Sequence, residues 1–191
     1  MKINVNIYSG YLLACLLLAV ACQSTANAQA GLVPEGYAEY PFGEPATLPG
    51  DGSIAVSQYD PDIALSKTNQ FGDIVDTVST LIHAEVCAGS VELPYMASEV
   101  YFSLARVISV GRESIPGTSS KGIREPSLQI GYVPVTVQAG ECAAGWVAFT
   151  QLGDKGDKVL EGAAGILFNT AVLGMVPDDQ QVKIAWRLPA E

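Results

Sequence analysis

Histidine is all but missing from this sequence, and His83 stands alone. A blue-copper centre wants two His beside a Cys, and a catalytic zinc normally takes two or three, so one His meets neither pattern. His83 as the base of a nucleophilic set lacks its usual setting, for there is no Gly-x-Ser-x-Gly elbow. The alternation around it makes it an ordinary strand residue. Positive charge is scarce as well. Ten Lys and Arg stand against 20 Asp and Glu, a formal charge of −10. That balance argues against nucleic acid as a partner, because holding the phosphate backbone depends on Lys and Arg. Phosphate-cradling loops are missing too: no Gly-x-x-x-x-Gly-Lys-Ser/Thr and no glycine fingerprint at a strand-to-helix junction. No internal repeat and no low-complexity segment is present.

Long apolar runs are lacking, and the longest is informative. Residues 11–21 are unbroken apolar sequence behind a single cation, Lys2, whereas a membrane span needs about 20 apolar residues. Gln23, Ser24 and Thr25 follow, then Ala26-Asn27-Ala28, with small residues at the two positions a signal peptidase reads. The expectation is a signal peptide over residues 1–28, cut between Ala28 and Gln29. The alternative is a lipobox-like reading of Ala19-Val20-Ala21-Cys22, with Cys22 lipidated, although Ala19 stands where such sites usually carry Leu. Either way the remaining chain is one domain's length, and loss of Lys2 makes it one charge more negative.

Of four cysteines, Cys15 and Cys22 belong to this leader. Two cysteines left in one small exported domain read as one bridge, Cys87 to Cys142; two free thiols are the alternative.

What the chain does have is two-residue alternation punctuated by Gly, Pro, Asp and Ser. In residues 182–188, Val182, Ile184, Trp186 and Leu188 point one way and Lys183, Ala185 and Arg187 the other. Ile74, Val78, Ile82, Ala84 and Val86 share a parity, opposite Thr77, Ser79, His83 and Glu85. Further strands are expected over residues 53–58, 99–107, 129–137, 144–152 and 165–173, with residues 97–108 the one stretch arguable as a helix. About seven short strands with turns between them predict an all-β, antiparallel sandwich over residues 43–191. Residues 29–42, rich in Pro and Gly, read as a flexible linker.

The segment 138–149, with Gly140-Glu141-Cys142, Gly145-Trp146-Val147 and Phe149, together with Val86-Cys87-Ala88-Gly89 and the terminal Ile184-Ala185-Trp186-Arg187-Leu188, resembles the telokin-like, immunoglobulin-related domains of bacterial secreted proteins and lipoproteins. The resemblance covers residues 43–188. It implies an Ig-like sandwich, export and the Cys87–Cys142 bridge, and it implies no activity. Trp146 follows the second cysteine, where antibody domains place the core Trp after the first. By parity Cys87 shares the polar face with His83 and Glu85, which places the bridge at a sheet end or rim.

The remaining candidates are thin. Asp60-Pro61-Asp62, Asp154 with Asp157, and Asp178-Asp179 raise calcium as a question, but none has EF-hand spacing, and they read as solvated turns. Arg106, Arg112, Lys121 and Arg124 lie in what reads as a long surface loop. Tyr95, Met96, Tyr101, Phe102, Ile166, Phe168, Val172, Leu173, Met175 and Val176 are expected to be mostly core. The functional expectation is a non-enzymatic exported binding or scaffold module. No cofactor is expected. Its partner would be a protein or envelope component, with a membrane involved only through Cys22. The alternative is a small calcium-dependent or carboxylate-using enzyme.

Overall fold

A computed structural model describes residues 33–68, 71–108, 111–119, 128, 134–150 and 163–188. Within them the chain forms twelve strands and short 3-10 turns: β1 (Ala38–Pro41), β2 (Ala46–Leu48), β3 (Gly52–Thr68), β4 (Ile74–Cys87), β5 (Leu93–Ala97), β6 (Phe102–Ile108), β7 (Gly111–Pro116), β8 (Thr118–Ser119), β9 (Val135–Val137), β10 (Cys142–Thr150), β11 (Ala163–Asn169) and β12 (Lys183–Arg187). One five-stranded sheet has the order β1-β12-β11-β6-β7, a second β2-β3-β4-β10-β8, and β5 pairs with β9.

The alternation read in the sequence builds the core between the two large sheets. Ile54, Val56, Ile82, Ala84, Val86, Val147 and Phe149 come from one sheet, and Phe102, Leu104, Ile166, Phe168, Ile184 and Trp186 from the other, all buried in one cluster. Phe168 packs on Phe102 at 4.8 Å and on Tyr101 at 5.9 Å between ring centroids. The Trp186 indole N–H, which buried in hydrocarbon needs an acceptor, donates to the Glu44 carbonyl at 2.9 Å. This is a β-sandwich, as the pattern predicts, though with more strands than the seven expected.

The structure differs from the sequence reading in several places. The linker expectation fails over its second half: residues 38–41 add β1 to the sheet edge, parallel to β12 in the register Ala38↔Ile184 to Pro41↔Arg187. Val33 and Tyr37 lie over Ala105, Leu167 and Ala185 on the sheet's outer face, which is why Ala185, on the polar parity, is fully buried. The stretch arguable as a helix makes only a 3-10 turn, Glu99–Tyr101, capped by the Ser98 side chain, before entering β6. Residues 111–116, read as part of a loop, form β7 against β6. After it Gly117 turns the chain into β8 in the other sheet. A Cβ there would lie 2.5 Å from the Glu99 carbonyl oxygen, so only glycine allows the corner to close. Finally, alternation lapses in β4 at Ser79, Thr80 and Leu81, which are all buried.

Hairpin β3–β4 is longer than its neighbours. The ladder of β10 on β4 runs from Cys142↔Cys87 to Thr150↔Ser79, whereas β3 follows β4 onward from Ile63↔Ser79 to Thr68↔Ile74. Among the described residues, the end of the hairpin is therefore a two-stranded ribbon of about 20 Å, at 3.3 Å per residue.

Candidate functional site

Cys87 and Cys142 are joined by a disulfide. They are directly opposed in neighbouring antiparallel strands, Cα to Cα 4.0 Å, so the bridge lies within one sheet and does not cross the sandwich. It sits on the solvent face: Cys142 is exposed and Cys87 half-buried. This is the side of the sheet that the parity of Cys87 predicts. The motif around both cysteines resolves into a clamp of three segments at the sheet rim. Ala88 N–H donates to the Glu141 carbonyl, Gly140 N–H to the Gly89 carbonyl, and Ser90 N–H to the Gly50 carbonyl. Gly89 packs so closely that a Cβ would fall 2.1 Å from the Gly50 carbonyl oxygen. Val86 is core, Ala88 is buried, and Gly140 takes positive φ in the turn before Glu141. These residues tie the rim of the sheet together.

His83 and Trp146 face each other across the same two strands, ring centroids 5.2 Å apart, edge to face. His83 Nδ1 lies 3.3 Å from the Ser57 hydroxyl. Glu85 is the next residue along this face. Its carboxylate oxygen and the two sulfurs all lie within 4.8 Å of one another, the only such group of three His, Cys, Asp or Glu ligand atoms among the described residues.

The acidic clusters do not converge among the described residues. Asp60 lies in β3 beside a register shift between Asp60 and Ile63, where Pro61 has no N–H to give the ladder. Asp178 and Asp179 form an exposed 3-10 turn, Asp178 accepting from Gln181 at 2.8 Å. Asp154, Asp157, Lys121 and Arg124 lie outside the described residues, as do Cys22, Ala28 and Gln29.

Of the apolar candidates, Met96, Tyr101, Phe102, Ile166, Phe168 and Val176 are core, whereas Val172 is 59% and Tyr95 42% exposed. Burial pushes the Tyr101 phenol up to about 12, and its hydroxyl is buried with no hydrogen-bond partner among the described residues. A groove of about 360 Å³ runs beside Tyr101, lined by Pro34, Tyr37, Val100, Ser103, Leu167 and Val172 among others.

The feature that sequence reasoning missed is the end of the β3–β4 ribbon. Phe71, 80% exposed, and Ile74, 77% exposed, are the most exposed large apolar side chains among the described residues. The available signal was an aromatic inside a Gly-containing turn, where Asn, Asp and Gly are usual.

No protein-family model and no curated protein matches the chain in sequence. Several solved structures match in shape. A secreted protein of Mycobacterium tuberculosis, MPT63, is 12% identical with a TM-score of 0.49, over 81% of this chain and 100% of that one. The yjhA protein of Bacillus subtilis is 12% identical with a TM-score of 0.48, over 78% and 99%. A functionally unknown protein from Listeria monocytogenes EGD-e is 14% identical with a TM-score of 0.52, over 79% of this chain and 84% of that one. At this identity the likeness to the Listeria protein is one of fold, and the fold is a β-sandwich.

Proposed function

We propose that the chain is an exported, non-enzymatic, Ig-related binding or scaffold module that docks a protein partner through the end of its β3–β4 ribbon. The observation that carries this reading is the exposure of Phe71 and Ile74 at one turn. Burying an exposed side chain of this size is worth about 1.5–3 kcal/mol, so a partner that covers both gains a substantial part of its affinity there. A two-stranded hairpin is by itself marginally stable in water, and a docked partner supplies the packing that a third strand gives elsewhere. Export is supported by the apolar leader and the Ala26-Asn27-Ala28 site, and the Ig-related assignment by the motif around Cys87, Cys142 and Trp146.

The test compares the mature protein with a Phe71→Ser/Ile74→Ser double variant in affinity capture from cell-envelope extract. The wild type retains a protein that the variant loses, while both melt at the same temperature. Equal recovery by the two proteins sinks the reading. Mass spectrometry of the mature amino terminus separates release from anchoring: a first residue of Gln29 without lipid is expected, and a lipidated Cys22 contradicts it.

A further inference from the structure

We infer that Glu85, Cys87 and Cys142 form a redox-gated site for a thiophilic divalent cation of the zinc class, closed while the disulfide stands and opened by its reduction. Cys87 and Cys142 are cross-strand partners, and Glu85, two residues along β4, is opposite Ala144. All three donors therefore project from one face, fixed by ladders on both sides of β4. Their ligand atoms already lie within 4.8 Å of one another. A tetrahedral zinc with bonds of 2.0–2.3 Å needs its ligands about 3.5–3.8 Å apart, so side-chain rotation suffices and the backbone need not move. The neighbours leave room, since β3 offers only Ser53 opposite Cys87 and Ala55 opposite Glu85. The face is open to water, with Glu85 and Cys142 exposed, which supplies a fourth ligand. His83, held by Ser57 and Trp146, stands outside the group.

The chemistry balances with a dithiol as reductant. Its thiolate attacks one sulfur of the bridge, the mixed disulfide is resolved by its second thiol, and two electrons and two protons pass to Cys87 and Cys142 while the dithiol becomes a disulfide. The cation then displaces both thiol protons and takes two thiolates and the Glu85 carboxylate, with water at the open position. With the bridge intact both sulfurs are spent in the S–S bond, and one carboxylate remains. Opening the bridge removes the crosslink but no side chain of the core cluster, because the sulfurs lie outside it.

Cobalt(II) and zinc titrations of the mature protein, before and after reduction, test this. Reduced protein binds one cobalt per chain with a thiolate charge-transfer band that zinc abolishes, and the oxidised protein shows no band. Glu85→Ala, which keeps both thiols, weakens zinc at least tenfold, and Cys142→Ser removes the band. Equal affinity in reduced wild type and Glu85→Ala overturns the inference. So does binding that persists unchanged in denaturing urea, since it would then belong to two thiols on an unfolded chain.

Discussion

Replacing Gly89 by Ala tests the rim clamp with one methyl group. The added Cβ would stand 2.1 Å from the Gly50 carbonyl oxygen, 2.5 Å from the Asp51 carbonyl carbon and 2.7 Å from its oxygen. Ordinary contact begins at about 3.4 Å, and all three obstacles are backbone, so no side chain can swing aside. The turn at residues 50–51 must retreat by more than about 1 Å. That movement pulls the Gly50 carbonyl from the Ser90 N–H, now 2.8 Å away. Overpacking costs about 1–3 kcal/mol and the hydrogen bond about 1 more, for a total of about 2–4 kcal/mol. In a domain of this size that lowers the melting temperature by roughly 5–15 °C. Urea unfolding followed by tryptophan emission is the assay, with Gly140→Ala as control: its positive φ carries strain, but nothing lies within 4 Å of its Cβ. A Gly89→Ala protein as stable as Gly140→Ala would refute the close approach, and with it the account of why the Val86-Cys87-Ala88-Gly89 motif ends in glycine.

Five other outcomes are expected. Replacing both Cys87 and Cys142 by Ser removes a crosslink over a sequence separation of 55 and costs about 4 kcal/mol by the chain-entropy relation, read by urea unfolding. Phe168→Ala, in the aromatic cluster with Tyr101 and Phe102, costs about 3–5 kcal/mol in the same assay. Tyr101→Phe removes a buried hydroxyl without a partner among the described residues and raises stability by about 1 kcal/mol. The same tyrosine carries a pH signature. Because its folded value is up at about 12 against 10 when free, the unfolded chain loses its proton first. Stability falls from pH 10 towards 12, and a pH series of melts should show that loss reduced in Tyr101→Phe. Glu39→Ala breaks an exposed ion pair with Arg187 and shifts stability by no more than about 1 kcal/mol.

The alternation in β4 and β12 was legible because each strand buries one face, and parity alone put Cys87 on the water side, where the bridge is found. What escaped the sequence depends on partners far along the chain. Ala38–Pro41 has no apolar period to mark it as a strand, and its order comes from pairing with Ile184–Arg187. Ala185 carries the polar parity, yet it is buried because Val33 and Tyr37 cover it. Ile74 carries the core parity, yet it is 77% exposed, and among the described residues only β3 pairs with this end of β4. The candidate docking site was invisible for that reason: the pattern gives the face of a side chain, and topology decides whether anything faces it.

The most direct test of the docking claim is photo-crosslinking in the native envelope, with a photoreactive residue at position 71 and, as control, at position 135, where Val135 is also exposed. A discrete adduct from position 71, absent from position 135, is the predicted result. Adducts of equal yield from both positions, or none from position 71, would contradict it.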